Sequence, residues 1–225
     1  MEFLLDTINL TELNNYLTII PVAGLTSTPS IIKREGKVAF IEHMKKIRAV
    51  LGTSRTLHVQ AVARDAEGLI KDAQTVWEKI DPAVYIKIPT TKAGLQAINY
   101  LKHENPSCHL TATAVYTKMQ AFLALQSKAD YIAVYSNRSE NVGVDPFAII
   151  QASKQFVQTN HLATKIMASS IKNVAQITES IENGADAVTC APAILATALD
   201  LAVVDQAVDR FTADWLELYQ REELY

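Results

Sequence analysis

The sequence predicts a single (β/α)8 barrel over residues 1–225, with an extra helix at about 203–219. Three observations carry this. A short apolar run followed by a longer helical pattern recurs about eight times along the chain. Strands that alternate with helices pair in parallel. A length of 225 residues lies near the short end of the range for one closed barrel. An open doubly wound sheet is the architectural alternative, and it would need fewer strands or a second domain.

The strand-like runs are 3–6, 21–25, 57–62, 84–88, 109–114, 131–135, 165–169 and 187–190. Between them the apolar period changes to 3.6. Ala66, Leu69, Ile70, Ala73, Val76, Trp77 and Ile80 fall on one helical face, and Phe40, Met44, Ile47 and Leu51 repeat the spacing. Val174, Ile177 and Ile181 do so again, and Gly184 stands where a helix C-cap is expected. Pro29 and Pro192 each follow a strand-like run and suit the first turn of a helix. The last helix carries Val204, Val208, Phe211, Trp215 and Leu218 as its apolar stripe.

Composition excludes several functions. A formal charge of −3 and short, mixed basic clusters argue against coating nucleic acid or a membrane surface. The cluster at 33–37 reads as a solvated face or loop. Seven scattered glycines leave no G-x-G-x-x-G turn and no P-loop. Cys108 and Cys190 stand far apart, which fits a reducing compartment. The first residues lack a basic leader, and Asn14, Asn15, Pro21 and Pro29 interrupt the uncharged stretch 13–32. A cytoplasmic address is the expectation. Five histidines without H-x-H or H-E-x-x-H spacing predict no metal, and no cofactor motif is present.

The fourth run contains a lysine, Lys87, between Ile86 and Ile88. Barrel strands are covered on both faces, so a charged side chain there needs a reason. Alternation puts Lys87 and Tyr85 on one face and the branched aliphatics on the other, which points Lys87 into the barrel. Burial disfavours the ammonium form, and a neutral amine adds to ketones to form a Schiff base. A lysine that snorkels outward or pairs with an acid is the alternative, and strand context alone leaves both open.

Polar residues gather at the C-terminal ends of other strands: Asp6, Thr26, Thr28, Gln60, Thr113, Tyr135, Arg138 and Ser170. Barrel active sites are built at that face. Each residue also has a structural reading. Asp6 and Ser170 could cap, Thr28 before Pro29 could be an N-cap, and Gln60 could be a satisfied core amide. Tyr135 could be packing and Arg138 an exposed ion pair. His58 shares the parity of Gln60 and reads as a core histidine with a hydrogen-bond partner.

With these residues in view, the chain resembles the small transaldolase-like enzymes that include fructose-6-phosphate aldolase. The resembling segments run from Phe3-Leu4-Leu5-Asp6-Thr7 through Gly24-Leu25-Thr26-Ser27-Thr28-Pro29 and Tyr85-Ile86-Lys87-Ile88-Pro89. They continue with Thr113-Ala114-Val115-Tyr116, Tyr135-Ser136-Asn137-Arg138, Ala168-Ser169-Ser170-Ile171-Lys172 and Phe211-Thr212-Ala213-Asp214-Trp215. The resemblance implies that Lys87 is the Schiff-base lysine and Asp6 the acid near the substrate hydroxyls. It implies that Gln60, Thr113 and Tyr135 hold a catalytic water, and that Arg138 and Ser170 grip phosphate. Thr26 and Thr28 become substrate contacts, Thr28 standing where most members carry Asn.

The activity so implied is reversible cleavage of fructose 6-phosphate to dihydroxyacetone and glyceraldehyde 3-phosphate. Gln60 and Tyr135 resemble the aldolase branch. A transaldolase moving a dihydroxyacetone unit between sugar phosphates is the first alternative, and a catalytically weak sugar-phosphate-binding barrel is the second. The partner implied is a sugar phosphate. The resemblance also implies a homo-oligomer, a pentamer or decamer, in which the last helix packs on a neighbouring subunit. Docking of that helix on its own barrel is the other reading.

Overall fold

The computed structural model describes residues 1–225. Eight parallel strands close into a barrel in sequence order: β1 (Glu2–Asp6), β2 (Val22–Thr26), β3 (Thr56–Gln60), β4 (Tyr85–Pro89), β5 (Leu110–Val115), β6 (Tyr131–Tyr135), β7 (Lys165–Ser169) and β8 (Ala187–Cys190). β1 pairs with both β2 and β8, which completes the ring. Eleven helices accompany the strands. Those nearest the site are α2 (Pro29–Glu35), α3 (Phe40–Leu51), α4 (Ala66–Lys79), α7 (Ser136–Glu140) and α9 (Val174–Glu182). The last, α11, covers Ala202–Tyr219.

Side-chain alternation divides the apolar residues into two bodies. Leu5, Leu25, Leu57, Val59, Ile86, Ile88, Leu110, Ile132, Val134, Ile166 and Val188 face outward and join the helices in one large core. Leu4, Tyr131, Ala133, Met167 and Ala187 form a separate cluster inside the barrel, with Tyr85 against it. Burial of the outer body is the main driving force for closing the ring. The inner cluster fills the N-terminal half, so the barrel is a packed plug there, with buried His58 and Thr111 hydrogen-bonded against it.

Short polar residues start the helices. Asp65, Thr91, Thr117 and Asn173 each accept a backbone N–H of the first turn. Thr28 does the same for Ile31 at 3.3 Å, with Pro29 in the first turn. At the end of α9, Gly184 has φ +94°, Gly184 N–H donates to Ile181 and Ala185 N–H donates to Ser180. This is the paired-bond termination that a left-handed residue permits, with Gly184 directly after the C-cap Asn183, at the position expected of it. At Gly94 the requirement is space, since a Cβ would lie 1.8 Å from the Pro89 carbonyl oxygen.

Strand limits differ from the sequence reading by one or two residues. Pro21 precedes β2, and 61–62 leave β3 because Asp72 Oδ2 accepts Val62 N–H at 2.7 Å and Ala63 N–H at 2.8 Å. The main surprise is α11. No residue of it is buried, and Phe211 is 68% and Leu218 74% exposed. Docking on its own barrel is therefore corrected: the helix stands away from it, and Trp215 packs on Tyr219 at 4.1 Å between ring centroids. No helix is long and apolar enough to cross a membrane.

Candidate active site

The strand ends place a cavity of about 420 Å3 at the C-terminal mouth of the barrel. Lys87 rises into it from the middle of β4. The side chain is 2% exposed, and its nitrogen takes part in no ion pair and no hydrogen bond within the chain. Burial pushes the amine below the ordinary lysine range, and the Asp6 charge pulls it part of the way back. An unpaired, desolvated amine facing an open space meets the structural requirement for a nucleophile.

Asp6 ends β1 and lines the same cavity. Its Oδ1 accepts a 2.6 Å hydrogen bond from the Thr26 hydroxyl, which also lies 2.6 Å from the Thr189 hydroxyl. Thr26 is fully buried and does not line the cavity. Its place is behind Asp6, fixing the carboxylate from the β2 side.

Tyr135 ends β6 and lines the cavity. Thr113 donates to the Tyr135 hydroxyl at 3.3 Å. A register shift in β5 between Ala112 and Val115, with Ala114 at φ 58°, turns Thr113 toward that partner. Burial raises the Tyr135 pKa, against the Thr113 bond and the Arg138 charge, so the phenol keeps its proton. Arg138 lies over the Tyr135 ring at 5.1 Å. Gln60 sits beside Lys87 in strand register, yet its side chain lines an adjoining cavity of about 650 Å3 between β3 and helices α2, α3 and α4. Gln60 Oε1 is buried without a partner. Thr28 lines both spaces while capping α2, so the two are neighbours.

The remaining wall is cationic and polar. Arg138, Lys172, Arg34 and Ser170 line the cavity. Ser170 has φ 57°, a left-handed turn straight after β7 that a serine adopts only at some cost. Its carbonyl accepts Asn137 N–H at 3.2 Å. Gln176, on α9, ties the two loops together. It accepts Lys172 N–H at 2.8 Å and donates to Asn137 at 3.4 Å and to Glu140. The elements bearing Arg138 and Lys172 are thus held to each other. An arginine fork and a lysine on one wall suit a phosphate dianion.

Sequence reasoning missed Arg34, Lys172 and Gln176. Arg34 belongs to the cluster taken as a solvated face. It pairs with Glu35 at 3.0 Å and donates to the Asp6 carbonyl at 3.4 Å, at the edge of the cavity. The available signal is helical spacing, since Ser30 and Arg34 are four residues apart and both line the cavity. Lys172 stood two residues beyond a named candidate.

The chain matches the family model described as transaldolase/fructose-6-phosphate aldolase over residues 3–222. A probable fructose-6-phosphate aldolase of Streptococcus pneumoniae is 41% identical over 215 residues, covering 96% of each chain. A probable transaldolase of Methanococcus vannielii is 32% identical, covering 96% of this chain and 97% of its own. Among solved structures, inosine 5'-monophosphate dehydrogenase of Legionella pneumophila superposes with a TM-score of 0.59. It is 16% identical, and the match covers 86% of this chain and 58% of that one, a likeness of fold alone.

Proposed function

The chain belongs to the transaldolase/fructose-6-phosphate aldolase family, and from that premise we propose that it is a class I aldolase that cleaves fructose 6-phosphate through a Schiff base on Lys87. The observation that carries this reading is the buried, unpaired Lys87 amine facing a cavity whose wall bears Arg138, Lys172 and Ser170.

The neutral amine adds to the C2 ketone, and the carbinolamine loses water to give an iminium ion. The C3–C4 bond breaks as its electron pair moves into the iminium, leaving an enamine of dihydroxyacetone on Lys87. The C4 hydroxyl gives up its proton and becomes the aldehyde of glyceraldehyde 3-phosphate. Asp6, held by Thr26, is the group beside the substrate hydroxyls, and Tyr135 with Thr113 supplies a hydroxyl pair to handle a water molecule. Protonation at C3 and addition of water then release dihydroxyacetone and the free amine, so the water lost at the start is regained. Arg138 and Ser170 hold the phosphate, with Lys172 beside them.

Relatives described as probable transaldolases support a second reading, in which another aldose phosphate takes the enamine before water does. The exposed apolar stripe of α11 supports a homo-oligomer, and a cytoplasmic setting accords with the sequence. The test is borohydride trapping with fructose 6-phosphate followed by mass spectrometry, together with assay of free dihydroxyacetone with and without erythrose 4-phosphate. An adduct on Lys87 and acceptor-independent release are expected. Strict dependence on the acceptor would favour transaldolase, and no adduct would leave only a binding function.

A further inference from the structure

Beneath Lys87, toward the N-terminal end of the barrel, lies a fully buried histidine that the chemistry above does not use. Both ring nitrogens of His58 are engaged. Nδ1 is 2.9 Å from the Thr111 hydroxyl and Nε2 is 3.0 Å from the Thr56 hydroxyl. The ring stacks on Tyr85 at 4.7 Å and meets the edge of Tyr131 at 5.0 Å. Strand register ties this group to the site. Gln60 and Thr111 are the backbone partners of Lys87 on its two sides, and His58 is the partner of Tyr85. Thr111 is therefore the hydroxyl that accompanies Lys87 on β5. His58 turns its oxygen down toward the imidazole, whichever tautomer the ring adopts.

We propose that His58 is a positioning residue for Lys87: by holding the Thr111 hydroxyl below the site, it denies the lysine nitrogen a hydrogen-bond acceptor inside the barrel and leaves the amine free to add to a ketone. This inference rests on the Schiff-base reading. A hydroxyl oxygen within reach would stabilise the ammonium form, since hydrogen bonds to a charged group favour it. The imidazole itself supplies no compensating charge. Burial, and then the nearby Lys87, His109 and Lys165, hold it well below the ordinary histidine range.

The groups facing His58 are Lys87 and Tyr85 on β4, His109 before β5, Tyr131 on β6 and Lys165 on β7. Glu2 engages both Tyr131 and Lys165. On the other side of Lys87 are Asp6, Tyr135, Arg34, Arg138 and Lys172. Asp6 is the one acid among them that acts on the lysine, and it favours the charged form, so the floor must not add to it.

The test is reductive trapping of Lys87 with dihydroxyacetone from pH 6 to 10, read by mass spectrometry. It is run on wild type, His58→Phe, Thr111→Val and the double variant. His58→Phe keeps the bulk of the ring and frees the Thr111 oxygen. Its trapping midpoint is expected to rise by roughly one pH unit, which is about tenfold less adduct at neutral pH. Adding Thr111→Val removes the freed acceptor and should return the midpoint to the wild-type value. His58→Asn, whose amide still reaches Thr111, should stay near wild type. If His58→Phe melts below the assay temperature, His58→Leu takes its place. An unmoved midpoint, or a shift that survives in the double variant, overturns the inference while wild-type trapping still stands. No wild-type adduct at any pH overturns the Schiff-base reading and this inference with it.

Discussion

Replacing Thr26 with valine removes one hydroxyl and almost no volume. In the protein that hydroxyl donates to Asp6 Oδ1 at 2.6 Å and sits 2.6 Å from the Thr189 hydroxyl, with no exposure to solvent. A hydrogen bond to a charged group contributes about 1.5–3 kcal/mol, and a buried partner left unpaired costs about as much. Because Thr26 acts on Asp6 and does not line the cavity, the loss should fall on the step that uses the carboxylate. We expect kcat to drop by roughly tenfold to a hundredfold with KM almost unchanged. The melting temperature should fall by a few degrees, at about 2–4 °C per kcal/mol for a chain of this size. Steady-state kinetics with fructose 6-phosphate and thermal melts measure both. Combination with Asp6→Asn should add little further loss in kcat, because the two residues act as a unit. A rise in KM with kcat intact would refute the reasoning, since it would mean that Thr26 touches substrate directly.

Three further outcomes are expected. Lys87→Met should abolish turnover and trapping yet raise the melting temperature. The folded-state pKa of Lys87 lies below 10.5, so the unfolded chain binds more protons between those two values and the wild-type penalty is largest at lower pH. The gain from Lys87→Met should therefore shrink as pH approaches 10.5, and melts at several pH values check the sign. Arg138→Ala should raise KM for fructose 6-phosphate by about tenfold to a hundredfold while leaving cleavage of an unphosphorylated ketose intact, as measured by steady-state rates. Phe211→Ala with Trp215→Ala should dissociate the assembly, seen by light scattering at micromolar concentration. A monomeric parent protein would count against the oligomer outright.

The barrel was legible because its signals are local. Ile86 and Ile88 alternate with Tyr85 and Lys87, a parity that points the lysine inward, while its burial without a partner is what the structure adds. The cap at Thr28 was legible for the same reason. Arg34 and Lys172 were not, because their arrival at the cavity depends on how α2 and the loop after β7 are set on the barrel. Thr26 showed its strand-end position but not its duty, since a threonine behind a carboxylate and one facing substrate have the same sequence signature. The turn of Gln60 toward the adjoining space depends on packing among β3 and its helices. α11 carried its stripe plainly, but a stripe does not name the surface that covers it.

The aromatic plug under the site has a kinetic meaning. Tyr85, His58 and Tyr131 pack the barrel from below, so the reaction chamber is closed toward the N-terminal end and has its mouth at the C-terminal face. On the proposed chemistry the departing aldehyde leaves by the way its successor arrives. Traffic through that doorway, with a half-finished carbon fragment tethered below, sets whether hydrolysis or a second sugar ends the cycle.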